Sequence, residues 1–236
     1  MHPCLQNDSG DVRLALASNS KAYQMLATFW PHADRCIVLL FFSMDLVKLH
    51  LDPSRAVTSL ALPLFVLVYV FRSPPLAPPL PNMLGLAGLA FSFVAPALFE
   101  APSPAALDRI GFASAIAVAL YLALLLWSYY EMRNSFAIFP SRRAVVDKGP
   151  FRFVRHPMYS AYLHLCLVYA IITLSPVNFL LTAIFAAGLI LRLRNEEELL
   201  LESPAYASFA ERVRFRLFHP LLTAPLALVA GETMLA

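Results

Sequence analysis

The sequence predicts an all-α fold, a polytopic transmembrane helical bundle of about six spans. Two observations carry this. The chain is 59% hydrophobic and 14% charged, with a mean hydropathy of +0.66, whereas a soluble domain has about 25% charged and about 45–50% apolar residues. Its apolar residues also fall into separate runs, broken by proline-rich or charged stretches. The formal net charge of +3 is too small to suggest nucleic acid as a partner.

Residues 1–33 read as a polar N-terminal tail. They carry Asp8, Asp11, Arg13 and Lys21 and lack an adequate apolar stretch, so no cleaved secretory signal is expected. Residues 34–131 read as transmembrane helices. The first run, 34–51, contains Asp45 and Lys48, which share a helix face and can pair, with Lys48 close enough to the end to snorkel. Asp52-Pro53-Ser54 ends it, and a second run, 57–72, stops at Arg72. Pro74, Pro75, Pro78, Pro79 and Pro81 then forbid a regular helix, so 73–81 is expected to be a stiff connector. The third run, 82–99, holds Gly85 and Gly88, which allow close helix contact, and Pro96 near its end. After a short loop at 101–104, the fourth run, 108–131, ends in Trp127, Tyr129 and Tyr130, an interfacial aromatic belt.

The loop 132–157 gathers Arg133, Arg142, Arg143, Lys148, Arg152 and Arg155. The fifth and sixth runs, 158–174 and 177–193, are separated only by Ser175-Pro176, which predicts a tight antiparallel hairpin. Residues 196–214 alternate apolar and charged side chains and are expected to form one or two helices on the membrane surface, interrupted at Pro204. The end of the chain, 219–236, is apolar but contains Pro220 and Pro225, and reads as a tail near the interface. Clustering of Arg and Lys places the N-terminus, the loop 132–157 and the residues after 192 in the cytoplasm. Cys4, Cys36 and Cys166 have no metal-ligand or disulfide spacing, so no metal is expected.

A hairpin returns to the side it left. The basic-aromatic stretch Gly149–Tyr159 and the acidic stretch Arg192–Glu198 should therefore meet at one membrane face. Pro157 pushes His156 toward an extended conformation and suits the first turn of a helix. Arg155 and His156 then stand before the positive end of that helix, where free backbone N–H groups can bind an anionic ligand group. Arg192 and Glu196 are four apart and share a helix face. Carboxylates here need a partner, which a ligand ammonium, a sulfonium or Arg155 can supply.

Gly149-Pro150-Phe151, Arg155-His156-Pro157 with Tyr159, a short apolar hairpin, then Arg192 with Glu196-Glu197 and Leu200, and a Tyr/Phe-rich basic tail resemble the isoprenylcysteine carboxyl methyltransferase family. More broadly, this is the group of integral-membrane methyltransferases that includes phospholipid N-methyltransferases. The resemblance covers residues 133–220, so 132–220 reads as a methyltransferase core and 221–236 as an apolar tail. It implies a bundle whose last hairpin and C-terminal segment enclose S-adenosylmethionine, and a lipid-like methyl acceptor, of which an isoprenylcysteine carboxylate is one form. Arg143, Ala144, Val145 and Val146 would contact the cofactor through their backbone. Phe151, with Arg155, His156, Pro157, Met158 and Tyr159, would line its pocket. Glu196 and Glu197 would meet it from the other arm, Glu196 at the cofactor's ammonium. Arg192 would lie toward the acceptor, and Arg192 and Glu196 would carry the transfer. The chain departs from the family at Ser160-Ala161, where many members have glycine, and at Phe151, where tyrosine is common. The residues leave open a carboxylate, amine or thiol acceptor. A transporter or a non-catalytic membrane scaffold is the alternative of another class; a transporter would want charges deep in several spans, and only Asp45 and Lys48 qualify. The expected location is a bacterial inner membrane, with the site on the cytoplasmic face.

Overall fold

The computed structural model describes residues 83–132 and 145–235, with a few helical positions between 39 and 51. The tail 1–33, the Asp45–Lys48 pair, the second run, the proline connector, and Arg143 with Ala144 lie outside the described residues. Among the described residues there is no strand. The helices are α1 (Met83–Ala97), α2 (Pro104–Asp108), α3 (Phe112–Met132), α4 (Pro157–Thr173), α5 (Pro176–Leu201), α6 (Pro204–Arg212) and α7 (Pro220–Leu235), with a 3-10 turn at Gly149–Arg152 before α4.

Proline at the first helical position sets most of these starts, because its missing N–H is one that a helix leaves unpaired anyway. Ser103 and Ser175 precede such prolines and accept hydrogen bonds from the Ala106 and Asn178 amides, as N-caps do. The hairpin turn is as tight as expected. α4 closes at Leu174, whose φ of 47° is left-handed and whose N–H donates to the Ala170 carbonyl, and Pro176 opens α5 two residues later. α5 then runs 26 residues, well past the 193 at which the sixth run was expected to stop. Glu196, Glu197 and Glu198 therefore belong to α5, and the amphipathic element shrinks to α6.

α3 and α5 are long and apolar enough to cross a bilayer; α4 and α7 are shorter apolar helices. Ile116, Leu120 and Trp127 of α3 and Leu180 and Ile190 of α5 are exposed, an apolar exterior of the kind a bilayer covers. α1 packs along α5, α4 along both α3 and α5, and α7 along α3 and α4. The α1–α5 contact is made at glycines. A Cβ on Gly88 would stand 3.0 Å from the Arg192 amide nitrogen, and one on Gly188 would stand 2.7 Å from Phe91 Cβ. Only small residues let two helices approach this closely.

One core lies between α1, α4 and α5, around Leu163, Phe185 and Leu189. Another lies between α3, α4 and α7, around Ala117, Val168 and Val229. The latter corrects the reading of the chain's end as an interfacial tail. Residues 220–235 form a docked helix: the Tyr121 hydroxyl donates to the Leu222 carbonyl at 2.8 Å. At the far end, the Glu232 carboxylate accepts from the Ala113 and Ser114 amides at 3.2 and 3.1 Å, which caps α3.

Candidate active site at the open end of the hairpin

Site geometry begins with Gly149. Its φ of +56° is left-handed, and a Cβ there would lie 2.8 Å from Trp127 Nε1, so glycine is required on both counts. The turn that follows buries Pro150 and Phe151. Phe151 packs with Tyr206, Phe209 and Val213, and Val145 and Val146 lie against the same cluster. This anchors α6 and the basic loop to the mouth of α4.

His156 occupies the N-cap position of α4, but its side chain makes no capping hydrogen bond among the described residues. Its Nε2 instead lies 3.2 Å from Glu197 Oε1, and a carboxylate partner fixes Nε2 as a protonated, donating nitrogen. The imidazole stacks on Tyr159, centroids 5.5 Å apart and 11° from parallel. The Tyr159 hydroxyl donates to Glu196 Oε2 at 2.7 Å, and the Arg192 guanidinium lies 5.1 Å from the centre of the Tyr159 ring, a cation–π distance.

Glu197 is the centre of an ion cluster. Arg155 Nη1 stands 2.9 Å from its Oε1, and Arg216 Nε stands 2.7 Å from its Oε2. The Glu197 and Arg155 side chains are only 4% and 9% exposed, whereas Arg216 is 55% exposed. Two guanidiniums face one carboxylate, so this node carries surplus positive charge beside the positive end of α4. Arg155 Nε is buried and has no hydrogen-bond partner among the described residues, which leaves a donor available inside the site.

Sequence reasoning placed the basic-aromatic and acidic stretches at one face, and Arg155, His156, Tyr159, Arg192, Glu196 and Glu197 do come together there. Met158 is also buried at this mouth. Glu198, one residue on, is exposed. Three features were missed. Arg216 lies just beyond the amphipathic stretch 196–214 and was not singled out. Tyr162 and Tyr129 join α4 to α3 by a hydroxyl–hydroxyl hydrogen bond, within electrostatic reach of Arg192. His164 is fully buried; its Nδ1 lies 2.6 Å from the Ser160 carbonyl and its ring 4.8 Å from that of Tyr121. A histidine inside an apolar run was the available signal for it.

No curated protein gives a significant match to the chain. The stretch 110–206 runs from just before α3 into the first turn of α6 and so holds every member of the cluster except Arg216. Over those residues the chain matches phospholipid methyltransferase, the family of integral-membrane methyltransferases related to the isoprenylcysteine carboxyl methyltransferases.

Proposed function

We propose that this protein transfers a methyl group from S-adenosylmethionine to a lipidic acceptor in the bilayer, with the site on the cytoplasmic face of a bacterial inner membrane. The observation that carries the reading is the convergence of Arg155, His156 and Tyr159 with Arg192, Glu196 and Glu197 at the open end of the α4–α5 hairpin.

The residues fit such a cofactor. Its amino-acid end bears an ammonium and a carboxylate. Glu196, only 7% exposed, supplies the matching anion, and the unpartnered Arg155 Nε with the first amides of α4 supplies donors for the carboxylate. His156 and Tyr159, stacked on each other, would form the wall beside the adenine. Bound there, S-adenosylmethionine supplies an electrophilic methyl group on a sulfonium. The protein's part is to hold the groups in line and to exclude water. Tyr159 holds Glu196 in place, and Glu197 holds the His156 ring and the Arg155 guanidinium. Arg192 lies one helical turn deeper along α5 than Glu196, toward the bilayer, where an acceptor entering between helices meets it.

A carboxylate acceptor of the isoprenylcysteine type needs no proton removed, and Arg192 suits its charge. The family match favours a phospholipid amine as the second reading. In that case a deprotonated amine must be supplied, with Glu196, His156 or Tyr159 in reach as base.

Titration calorimetry of purified protein with S-adenosylmethionine tests the reading, followed by transfer of labelled methyl groups to lipid extracts. Saturable binding and a labelled lipid product are expected. Absence of binding by folded protein would leave a membrane scaffold or transporter as the better account.

A further inference from the structure

Arg216 makes two separate attachments to the mouth of α4. Its side chain pairs with Glu197 at 2.7 Å, and its backbone carbonyl accepts the His156 amide at 3.0 Å. The neighbouring Phe215 carbonyl accepts the Arg155 amide at 2.9 Å. Those two amides precede the first helical residue of α4, so the helix itself cannot pair them. Leu217 then enters the core between α4 and α5, and Phe218 meets the His164 ring edge-on at 5.8 Å. The connection between α6 and α7 is thus laid across the residues that flank Glu197.

The partners of Glu197 differ in how freely they can leave it. Arg155 is 9% exposed and would be stranded in a poorly solvated place. Arg216 is 55% exposed, so its guanidinium can pass into water at little cost. Arg155 keeps its contact to Glu197 through Nη1 while its buried Nε has no partner among the described residues. Any shift of Glu197 or of the 215–216 backbone therefore moves that donor and the His156 ring together.

We propose that Arg216 is a positioning residue of the methyl-transfer site: its pairing with Glu197 clasps residues 215–217 across the mouth of α4 and fixes Arg155 and His156 for the cofactor, and its release lets the cofactor exchange. The inference rests on the methyltransferase reading of that site.

The test compares the full chain with Arg216→Gln and Arg216→Lys in lipid nanodiscs. Amide hydrogen exchange over residues 153–157, without ligand, reads the clasp. The dissociation rate of S-adenosylhomocysteine reads the site. Loss of one half-exposed ion pair should speed both about twofold to fivefold in Arg216→Gln, and Arg216→Lys should restore most of each. Unchanged exchange in Arg216→Gln would overturn the clasp. Faster exchange with unchanged dissociation would overturn the positioning role. A wild-type protein that binds no S-adenosylhomocysteine would sink the methyltransferase reading and the positioning role with it, while the exchange data would still decide the clasp.

Discussion

Replacing Glu197 with alanine should destabilise the bundle far more than replacing either neighbouring glutamate. Glu197 is 3% exposed and is the counter-charge for Arg155, itself 9% exposed. Removing one member of a buried pair costs about 3–5 kcal/mol, because the remaining charge is left unmatched. The Arg216 contact adds little to this, since a half-exposed guanidinium regains water. A loss of about 3 kcal/mol corresponds to roughly 6–12 °C in melting temperature for a chain of this size. Glu198 is exposed, and Glu198→Ala should fall within about 0.5 kcal/mol of wild type. The double variant Arg155→Met/Glu197→Met should regain most of the loss, because two apolar side chains then fill the space of the ion pair. Thermal melts in one detergent, read by tryptophan fluorescence, would decide. A Glu197→Ala melt within about 1 °C of wild type, or a double variant no better than the single one, would refute the view of Glu197 as the keystone of the mouth.

Glu196→Ala should do the reverse: the fold holds while S-adenosylmethionine affinity drops about tenfold to a hundredfold, the equivalent of about 1.5–3 kcal/mol for a charge-assisted contact, as calorimetry would read; unchanged affinity would remove Glu196 from the site. His156→Ala should weaken cofactor binding with the bundle still folded, since its ring contacts Glu197 and Tyr159 and does not cap α4; equal affinity with lower stability would make it structural only. Gly188→Val should cost about 1–3 kcal/mol by forcing its side chain into Phe91 and Ser92 of α1, and a wild-type melt would contradict the close α1–α5 approach. A cysteine placed at Asp147 should resist an impermeant thiol reagent applied outside intact cells; labelling there would reverse the orientation.

Much of this site was legible because its two halves are each local in sequence and a tight turn joins them. Ser175-Pro176 implies the hairpin, and the hairpin implies the meeting of His156 with Glu196 and Glu197. Which carboxylate does what was not legible. Glu196 and Glu197 differ by one step around α5, and only the packed helices send one to Tyr159 and the other to Arg155, His156 and Arg216. α7 was hidden for another reason. Pro220 and Pro225 look like breakers, yet Pro220 opens the helix and Pro225 sits inside it, where docking against α3 and α4 compensates for the lost hydrogen bond. Arg216 was hidden because a basic residue between two helices ordinarily faces water.

The cap on α3 has a consequence for how the protein is made. The amides of Ala113 and Ser114 are paired by Glu232, 118 positions beyond Ser114 in the chain. A ribosome adding about 5–20 residues per second needs roughly 6–24 s to cover that interval. Throughout it, the first turn of α3 waits in or near the bilayer with those donors unmet, and the translocation machinery, headgroups or water must shelter them. The first turn of α3 is therefore completed only once α7 has been made and has docked, so this half of the molecule closes late even if every helix inserts in order.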